Sequence, residues 1–304
     1  MPHVKHNAIC TIRRIFTHQI SIGVSIFAVF LQIQSTGNIK KITSSMKMVS
    51  AAKLKGDEGR LAAAEPFNSW TTPLCGAPIE IEEPTYEELP QKCLIVPLTS
   101  EKGLCGGINS FITRSTKDCV KKLQEQGKEA DIVVIGDKGR GQLRRVLADN
   151  IVRSATEVVA PGNFQLASAL AAELIAAGAS DYDGVVLIYN SFVNAAVYKQ
   201  MYKVITPFKI ATEDGGSLPT YDFDSDKPES MNDLFEYMIA SQLFHSFMDG
   251  AASEQSARMT AMENASKNAN EMIDSLTLQY NRARQARITT ELIEIISGAS
   301  ALEG

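Results

Sequence analysis

Two long stretches at the ends of the chain have the hydrophobic spacing of α-helices. The apolar positions of the first stretch recur at steps of three and four residues, and they are Ile39, Ile42, Met46 and Val49. Lysine and serine occupy the positions between them, so the pattern predicts an amphipathic helix. We place this helix at residues 34–65, because a helix is expected to end before Pro66.

The second stretch is longer and has a narrow apolar seam. After Pro228 no proline follows up to residue 297, and Gly250 is the one glycine in that range. The seam advances by three or four residues through Phe244, Met248, Ala251, Gln255, Met259, Met262, Ala265, Ala269, Ile273, Leu276, Tyr280 and Ala283. A seam this narrow fits one partner helix, and its small residues permit close approach. We predict a helix over residues 229–304, about 105 Å long for some 70 residues, that pairs with residues 34–65 in either direction.

Strands and helices alternate between these two stretches. Predicted strands cover residues 92–98, 131–136 and 184–190, with an edge strand at 196–208, and predicted helices cover 107–126, 143–147 and 163–178. This alternation is typical of βαβ units with a mainly parallel sheet. We therefore predict a Rossmann-like α/β domain at residues 91–210, inserted between the terminal helices. A proline-rich, acidic linker at 66–90 and a loop at 211–228 flank it.

Charge is distributed unevenly along the chain. The first 56 residues contain no Asp or Glu, although the whole chain has a net charge of −5 at pH 7. An apolar run at residues 20–33 follows Arg13 and Arg14, and it is short for a membrane span of roughly 20 residues. We predict a leader over residues 1–33, as an organelle transit peptide. The alternatives are a secretory signal, or residues that are absent from the mature protein for a trivial reason such as an unreliable start of the reading frame.

Residues for catalysis or metal binding are scarce. The five cysteines are widely spaced without a CxxC pair, which indicates a reducing compartment rather than a metal site. His245 is the one histidine outside the leader, and no GxSxG or HExxH motif is present. We predict no catalytic residue, cofactor or metal for this chain.

One glycine-rich loop has the position of a phosphate-binding loop. SEKGLCGGINS, residues 100–110, follows a predicted strand and precedes a predicted helix, but it lacks the Gly-Lys-Ser/Thr ending of a P-loop. We interpret Gly103, Gly106 and Gly107 as residues of a tight structural turn. A nucleotide-binding enzyme that uses this loop remains the alternative function.

The C-terminal tip is apolar behind a belt of cations. Arg282, Arg284 and Arg287 precede a run that contains Ile288, Leu292, Ile293, Ile295 and Ile296. One short partner helix cannot bury so many large side chains, so the tip predicts an interface with another protein.

Three segments resemble a known family. MKMVSAAKL (residues 46–54), SEKGLCGGIN (100–109) and residues 257–302 are similar to the gamma subunit of the F-type ATP synthase, its central rotor shaft. The resemblance extends from about residue 38 to the C-terminus. It implies an antiparallel coiled coil with the α/β domain inserted, a chain that is not itself catalytic, and the coupling of proton flow to ATP synthesis or hydrolysis on the beta subunits.

The resemblance also implies partners and contact residues. The partners are the alpha and beta subunits of the catalytic ring, an epsilon-type small stalk subunit and the membrane rotor c-ring, with no nucleic acid and no substrate of its own. The expected ring contacts are Met46, Lys47, Arg284, Gln285, Thr289, Glu291, Ile295 and Ile296. Arg284 and Gln285 would transmit torque, and the isoleucines would form an apolar bearing surface. Arg287 departs from the family pattern and receives no role.

The subtype follows from two further comparisons with the family. Chloroplast members carry a regulatory cysteine pair before the last helix, whereas residues 196–230 contain no cysteine. The predicted leader argues against a bacterial member. We therefore expect a mitochondrial subunit, peripheral to the matrix side of the inner membrane.

Overall fold

The described chain consists of two compact units. A computed structural model describes residues 3–81, 89–160, 162–207 and 227–303, with side chains at 26–74, 76–81, 89–160, 162–207 and 229–300. The coiled-coil unit contains residues 1–46 and 262–304, and the α/β unit contains residues 47–261. Helix α1 (His3–Asn68) and helix α6 (Lys227–Glu303) contribute to both units. None of the helices in the described ranges combines the length and hydropathy that a membrane span requires.

The two helices of the coiled-coil unit run antiparallel. Lys40 Nζ donates to Asn270 Oδ1 at 2.7 Å, and the rings of Phe30 and Tyr280 lie 6.2 Å apart between centroids. As residue numbers fall along α1, their partners on α6 rise, which defines an antiparallel pair. The predicted coiled coil of the two terminal segments, with an α/β unit inserted in sequence, is therefore confirmed.

The face of α1 that forms the seam differs from the prediction. Ile39 and Ile42 are 51% and 58% exposed and Met46 is half-buried, whereas Thr36 and Thr43 are buried. The Thr43 hydroxyl donates to the backbone oxygen of Ile39 at 3.1 Å. A threonine whose hydroxyl bonds back to its own helix can be buried without an unsatisfied donor. The prediction was right about the helix and wrong about the face, because it took the apolar residues for the seam.

The α6 seam was predicted correctly in the coiled-coil unit but not in the α/β unit, where α6 is buried on nearly all sides, including at Ser246, Asp249 and Ser253. Met262 and Ala269 are buried in the coiled-coil unit, and Met248 and Ala251 are buried in the α/β unit. The remaining predicted seam positions are partly buried, and they are Phe244, Gln255, Met259, Ala265, Ile273, Leu276, Tyr280 and Ala283. Small residues at this seam allow the two backbones to approach closely.

A mixed six-stranded sheet forms the centre of the α/β unit. Its strands are β1 (Ile79–Glu80), β2 (Lys92–Pro97), β3 (Glu129–Ile135), β4 (Ile151–Ala155), β5 (Gly184–Asn194) and β6 (Val197–Ile205), in the order β1-β6-β5-β2-β3-β4. Strands β4, β3, β2 and β5 are parallel, whereas β6 and β1 pair antiparallel. The two faces are covered, because β2, β3 and β5 contribute buried side chains alternately to two hydrophobic clusters.

Helices cover this sheet on both faces. They are α2 (Thr72–Cys75), α3 (Ile108–Glu125), α4 (Asp137–Leu143) and α5 (Phe164–Ala176), together with parts of α1 and α6. The first cluster packs α5 and α6 on one face, and the second packs α3 on the other. Asn163 caps α5 by accepting a hydrogen bond from the Leu166 amide at 2.8 Å.

The predicted linker at residues 66–90 is partly structured. Helix α1 continues to Asn68 with Pro66 inside its last turn, followed by a 3-10 turn at Ser69–Thr71. Proline is tolerated there because the carbonyl that loses its partner belongs to exposed Ala62, where water can bond to it. Thr71 is fully buried and donates to the Asn68 oxygen at 2.7 Å. Residues 82–88 lie outside the described residues.

Other boundaries differ in detail. Helix α4 ends at Leu143, where the sequence predicted a helix to begin, and β4 was not predicted. Strand β6 is not an edge strand, since β1 pairs with it. Residues 211–226 of the predicted 211–228 loop lie outside the described residues, and residues 227 and 228 belong to α6. The α1 backbone is helical from His3, and the assignment of residues 1–33 as a leader stays a prediction.

A candidate partner surface on the coiled-coil unit

The predicted torque residues are exposed on α6. Arg284 and Gln285 both face solvent in the described structure. They lie on a helix with good helix formers around them, so the backbone holds the two side chains at a fixed offset of about 100°. The guanidinium presents several donors and the amide both donors and an acceptor, which suits directional contacts to a partner.

One helical turn further on, the polar residues are already engaged within α6. The Thr289 hydroxyl donates to the Gln285 backbone oxygen at 3.0 Å. Glu291 accepts from Arg287 Nε at 2.8 Å, with both side chains about half exposed. Such an exposed pair contributes little stability, but it holds the Glu291 carboxylate beside a cation. Arg287, to which the sequence assigned no role, therefore orients a predicted contact residue.

The apolar residues of the tip are uncovered in the described structure. Ile295 and Ile296 are 68% and 63% exposed, and Ile288, Leu292 and Ile293 are about half exposed. A cluster of five large aliphatic side chains exposed within nine residues is unusual for a surface that faces only water. We call residues 288–296 the apolar tip surface.

Helix α1 adds exposed apolar residues that the sequence analysis missed. Phe27, Phe30 and Leu31 are 62%, 49% and 47% exposed in the same unit, and Ile39 and Ile42 are exposed as well. Phe27, Phe30 and Leu31 fall in the segment interpreted as a leader, whereas Ile39 and Ile42 were assigned to the seam. Thr36 and Thr43 are small residues seven positions apart, and this heptad spacing in the sequence could have identified the buried face of α1.

The two predicted contacts on α1 are less accessible. Met46 is half-buried in the coiled-coil unit, and Lys47, the next residue along α1, is partly buried in the α/β unit. Neither is as exposed as Arg284 or Gln285. Contact of these two residues with a partner therefore stays a prediction.

The glycine-rich loop is shaped by packing. Gly106 has a φ of +64°, and a Cβ there would lie 3.8 Å from the Ala261 Cβ. A Cβ at Gly107 would lie 2.8 Å from the Phe111 ring. Gly103 has neither a positive φ nor a close neighbour, and its oxygen accepts from Arg258 Nη2 at 3.5 Å. The geometry gives a structural reason for glycine at two of the three positions.

The polar groups of this loop are bonded to one another. The Ser100 amide donates to Asn109 Oδ1 at 2.9 Å, and Asn109 Nδ2 donates to Ser100 Oγ at 2.7 Å. The Ser100 hydroxyl in turn donates to the Lys102 oxygen at 2.8 Å. A phosphate-binding loop needs amides that point at the ligand, so this arrangement does not favour the nucleotide-binding alternative.

Among the described residues, no group of three or more His, Cys, Asp or Glu side chains converges as metal ligands would. Burial raises the pKa of the Cys105 thiol, which lies in the glycine-rich loop, above its ordinary value. The loop cysteine therefore has the character of a packed thiol rather than of a nucleophile.

Comparison with known proteins identifies the family. A family model described as ATP synthase matches residues 27–302. The chain is 39% identical over 284 residues to the ATP synthase gamma chain of Paracoccus denitrificans, covering 89% of this chain and 97% of that one. It is 41% identical over 273 residues to the mitochondrial ATP synthase F(1) complex subunit gamma of Rattus norvegicus, covering 90% and 97%.

A solved structure agrees with these sequence relatives. A chain from the central stalk and c-ring of the Tetrahymena thermophila mitochondrial ATP synthase matches with a TM-score of 0.60 and 32% identity, covering 74% of this chain and 99% of that chain. The order of a long helix, a mixed sheet and a second long helix is thus shared with a central-stalk chain. On these grounds the chain belongs to the gamma-chain family of the ATP synthases.

Proposed function

We propose that this chain is the central rotor shaft of an ATP synthase. Proton flow through a membrane rotor ring would turn the chain, and its rotation would drive ATP synthesis on the beta subunits, or be driven by hydrolysis there. The chain itself would not be catalytic. Membership of the gamma-chain family and the central-stalk relative support this role.

The single observation that carries the proposal is the exposed apolar surface of the coiled-coil unit. The residues of the apolar tip surface are exposed in the described structure, and α1 adds its own exposed phenylalanines, Phe27 and Phe30. Apolar contacts are non-directional, so they hold a shaft in a sleeve at many rotational positions without a specific set of bonds to break. A ring of alternating alpha and beta subunits is the sleeve that this role requires.

Arg284 and Gln285 are proposed to transmit torque to loops of the beta subunits. Polar contacts are directional, so their strength depends on the rotational position of the shaft. The exposure of both side chains supports this role. Thr289 and Glu291 would assist, with Glu291 held by Arg287, and Met46 and Lys47 would contact the same ring.

The test is an alanine pair in the assembled complex. Arg284→Ala with Gln285→Ala removes the polar contacts and leaves the apolar tip surface intact. We expect the complex to assemble in normal yield and its ATP turnover to fall, because contacts that differ between rotational positions are lost. Assembly is measured by co-purification with the ring subunits, and turnover by ATP hydrolysis in the purified complex.

A matched control removes one cationic side chain and one amide side chain at another exposed site of the chain. Lys121→Ala with Gln124→Ala takes one cation and one amide from exposed positions of α3. This control should leave turnover unchanged. Equal turnover in the two double variants would contradict the torque role, whereas failure of the unaltered chain to co-purify with a ring would contradict the rotor proposal itself.

The α/β unit is proposed to contact the c-ring and an epsilon-type small stalk subunit. The Tetrahymena relative comes from a central stalk and c-ring assembly, which supports the c-ring as partner. We further propose a mitochondrial inner membrane location on the matrix side, with residues 1–33 as the transit segment. The mitochondrial relative from rat supports this location, and N-terminal sequencing of the mature chain tests it.

A further inference from the structure

The α/β unit contains a cavity of about 440 Å³ that the rotor role does not use. One wall is formed by α6, where Ser246, Gly250 and Glu254 follow one another at four-residue steps. The opposite wall includes Leu98, just after β2, and Asn190 of β5. Ligand pockets in proteins are typically about 300–1,000 Å³, so this volume is sufficient for a small organic molecule.

The cavity lies at the point of the sheet where ligands bind in other open parallel sheets. β3 lies on one side of β2 and β5 on the other, so the connections that leave these strands run in opposite directions. This arrangement opens a crevice at the carboxyl ends of β2 and β5. Leu98, just beyond the end of β2, and Asn190, in the part of β5 that extends past β2, line the cavity there. The strand order therefore produces the crevice, and the chemistry of the side chains that line it determines which ligands can bind.

Two buried polar side chains of the wall have unused hydrogen-bonding capacity. Asn190 and Ser246 are 5% and 1% exposed, and neither Asn190 Oδ1 nor Ser246 Oγ has a hydrogen-bond partner among the described residues. Leaving such a group unpaired costs about 1–3 kcal/mol. Glu157, also in the wall, is a non-glycine residue with a φ of +65°. Unpaired polar groups and backbone strain both concentrate at binding sites.

The charges of the wall exclude a strongly anionic ligand. Lys53, Lys102 and Arg258 are matched by three glutamates, at positions 101, 157 and 254. Arg258 is already paired with Glu254 on the same helix. A site for a nucleotide would need an excess of cations or free amides toward the phosphates. The remaining wall is largely aliphatic and aromatic, including Ile108, Ile135 and Phe247.

We propose that this cavity binds a small, uncharged and largely apolar organic molecule that carries a hydrogen-bond donor. Asn190 Oδ1 would accept from the donor and Ser246 Oγ would add a second hydrogen bond. The aliphatic wall would cover the apolar body of the molecule. Every wall residue lies in the α/β unit, outside the coiled-coil surface on which the rotor proposal rests, so the two proposals are tested separately.

The probe for the test is N-phenyl-1-naphthylamine, an uncharged aromatic amine whose fluorescence rises in apolar surroundings. We expect saturable binding to the full chain with a dissociation constant on the order of 10 µM, as for a ligand of this size in a preformed pocket. ATP at millimolar concentration should not displace it. Displacement by ATP would overturn the assignment to an uncharged ligand.

Gly250 offers a way to fill the cavity without disturbing the fold. A Cβ at this position meets no atom within 4 Å, and glycine in a helix interior is itself unfavourable. Gly250→Leu is expected to weaken probe binding at least tenfold while the chain keeps its helical circular dichroism. Gly59→Leu is the matched control, because Gly59 is an exposed helical glycine with equally open surroundings and is not in the wall.

A second variant tests the hydrogen bond. Ser246→Ala removes a hydroxyl that has no hydrogen-bond partner among the described residues, so it should not disturb folding. The affinity for the probe should fall about three- to tenfold. Absence of saturable binding, or an affinity in Gly250→Leu equal to that in Gly59→Leu, would overturn the cavity as a ligand site. An unchanged affinity in Ser246→Ala would overturn the role given to its hydroxyl.

Discussion

Gly136 makes the turn between β3 and α4, and alanine there should be strongly destabilising. Its φ is +105°, and a Cβ would lie 2.1 Å from the Thr99 carbonyl oxygen. The Thr99 amide and hydroxyl both donate to the Ile135 oxygen at 2.9 Å, and the hydroxyl accepts from the Gly139 amide at 3.0 Å. Moving Thr99 away loses three hydrogen bonds at about 1 kcal/mol each, and the strained φ adds about 1–3 kcal/mol.

Gly136→Ala is therefore expected to lower the free energy of unfolding by about 4–6 kcal/mol. This is a large part of the roughly 5–15 kcal/mol that stabilises a typical domain. The chain's single tryptophan, Trp70, stacks on Tyr237 with 5.4 Å between centroids, so its fluorescence reports unfolding of the α/β unit. Guanidinium titration of the purified chain measures the difference. Gly141→Ala is the control, since a Cβ there meets nothing within 4 Å. A loss below about 1 kcal/mol in Gly136→Ala would refute the steric argument.

Three further predictions concern buried and exposed groups. Burial raises the pKa of the Asp249 carboxyl, so the folded chain binds this proton more tightly than the unfolded chain and stability falls as pH rises from about 4 through the folded-state pKa. Asp249→Asn should unfold at an equal or higher temperature at pH 7, with the advantage shrinking toward pH 4, and a lower temperature at pH 7 would contradict this. Burial raises the pKa of Cys93 to about 11 and that of Cys119 to about 12, so maleimide should label both thiols only in denaturant, as read by peptide mapping; rapid native labelling would show that they are accessible. Ile42→Ser, at a side chain 58% exposed, should lower the free energy of unfolding by less than about 1.3 kcal/mol. Ala269→Phe, at the buried seam, should lower it by about 1–3 kcal/mol. Denaturation followed by circular dichroism should show the smaller loss for Ile42→Ser.

The long helices could be predicted because their hydrophobic periods are long and regular, and β2, β3 and β5 because each contains a short apolar run bounded by turn residues. Helix α4 has neither signal and was misplaced. The α6 seam was predicted correctly in the coiled-coil unit, since its apolar residues there are also its buried ones. In the α/β unit α6 also buries polar residues, such as Ser246 and Asp249, which the seam did not include. The α1 seam was not, because a period identifies a helix but not the face that is buried. Thr43 can be buried through a bond to its own backbone, which leaves Ile42 free to face outward. Apolar character was the wrong guide on a helix whose solvent-facing side carries apolar residues.

Strands β1 and β4 were not predicted for a different reason. β1 is two residues long, and β4 is mostly exposed, so neither carries a hydrophobic alternation. Both exist because a neighbouring strand supplies hydrogen bonds, which is a long-range effect. The torque role that we propose for Arg284 and Gln285 concerns contacts with another chain, so no intramolecular contact can test it. The unpaired oxygens of Asn190 and Ser246 were equally invisible in sequence, because pairing is a property of the folded neighbourhood.

The most direct test of the rotor account is rotation itself. The chain, with Val146→Cys at an exposed position of the α/β unit, is assembled with alpha and beta subunits and the ring is fixed to a surface. A bead is attached through the new thiol, and ATP is added. The account predicts that the bead turns persistently in one direction and stops when ATP is removed. ATP hydrolysis by the assembled ring while the bead only fluctuates without direction would contradict the account.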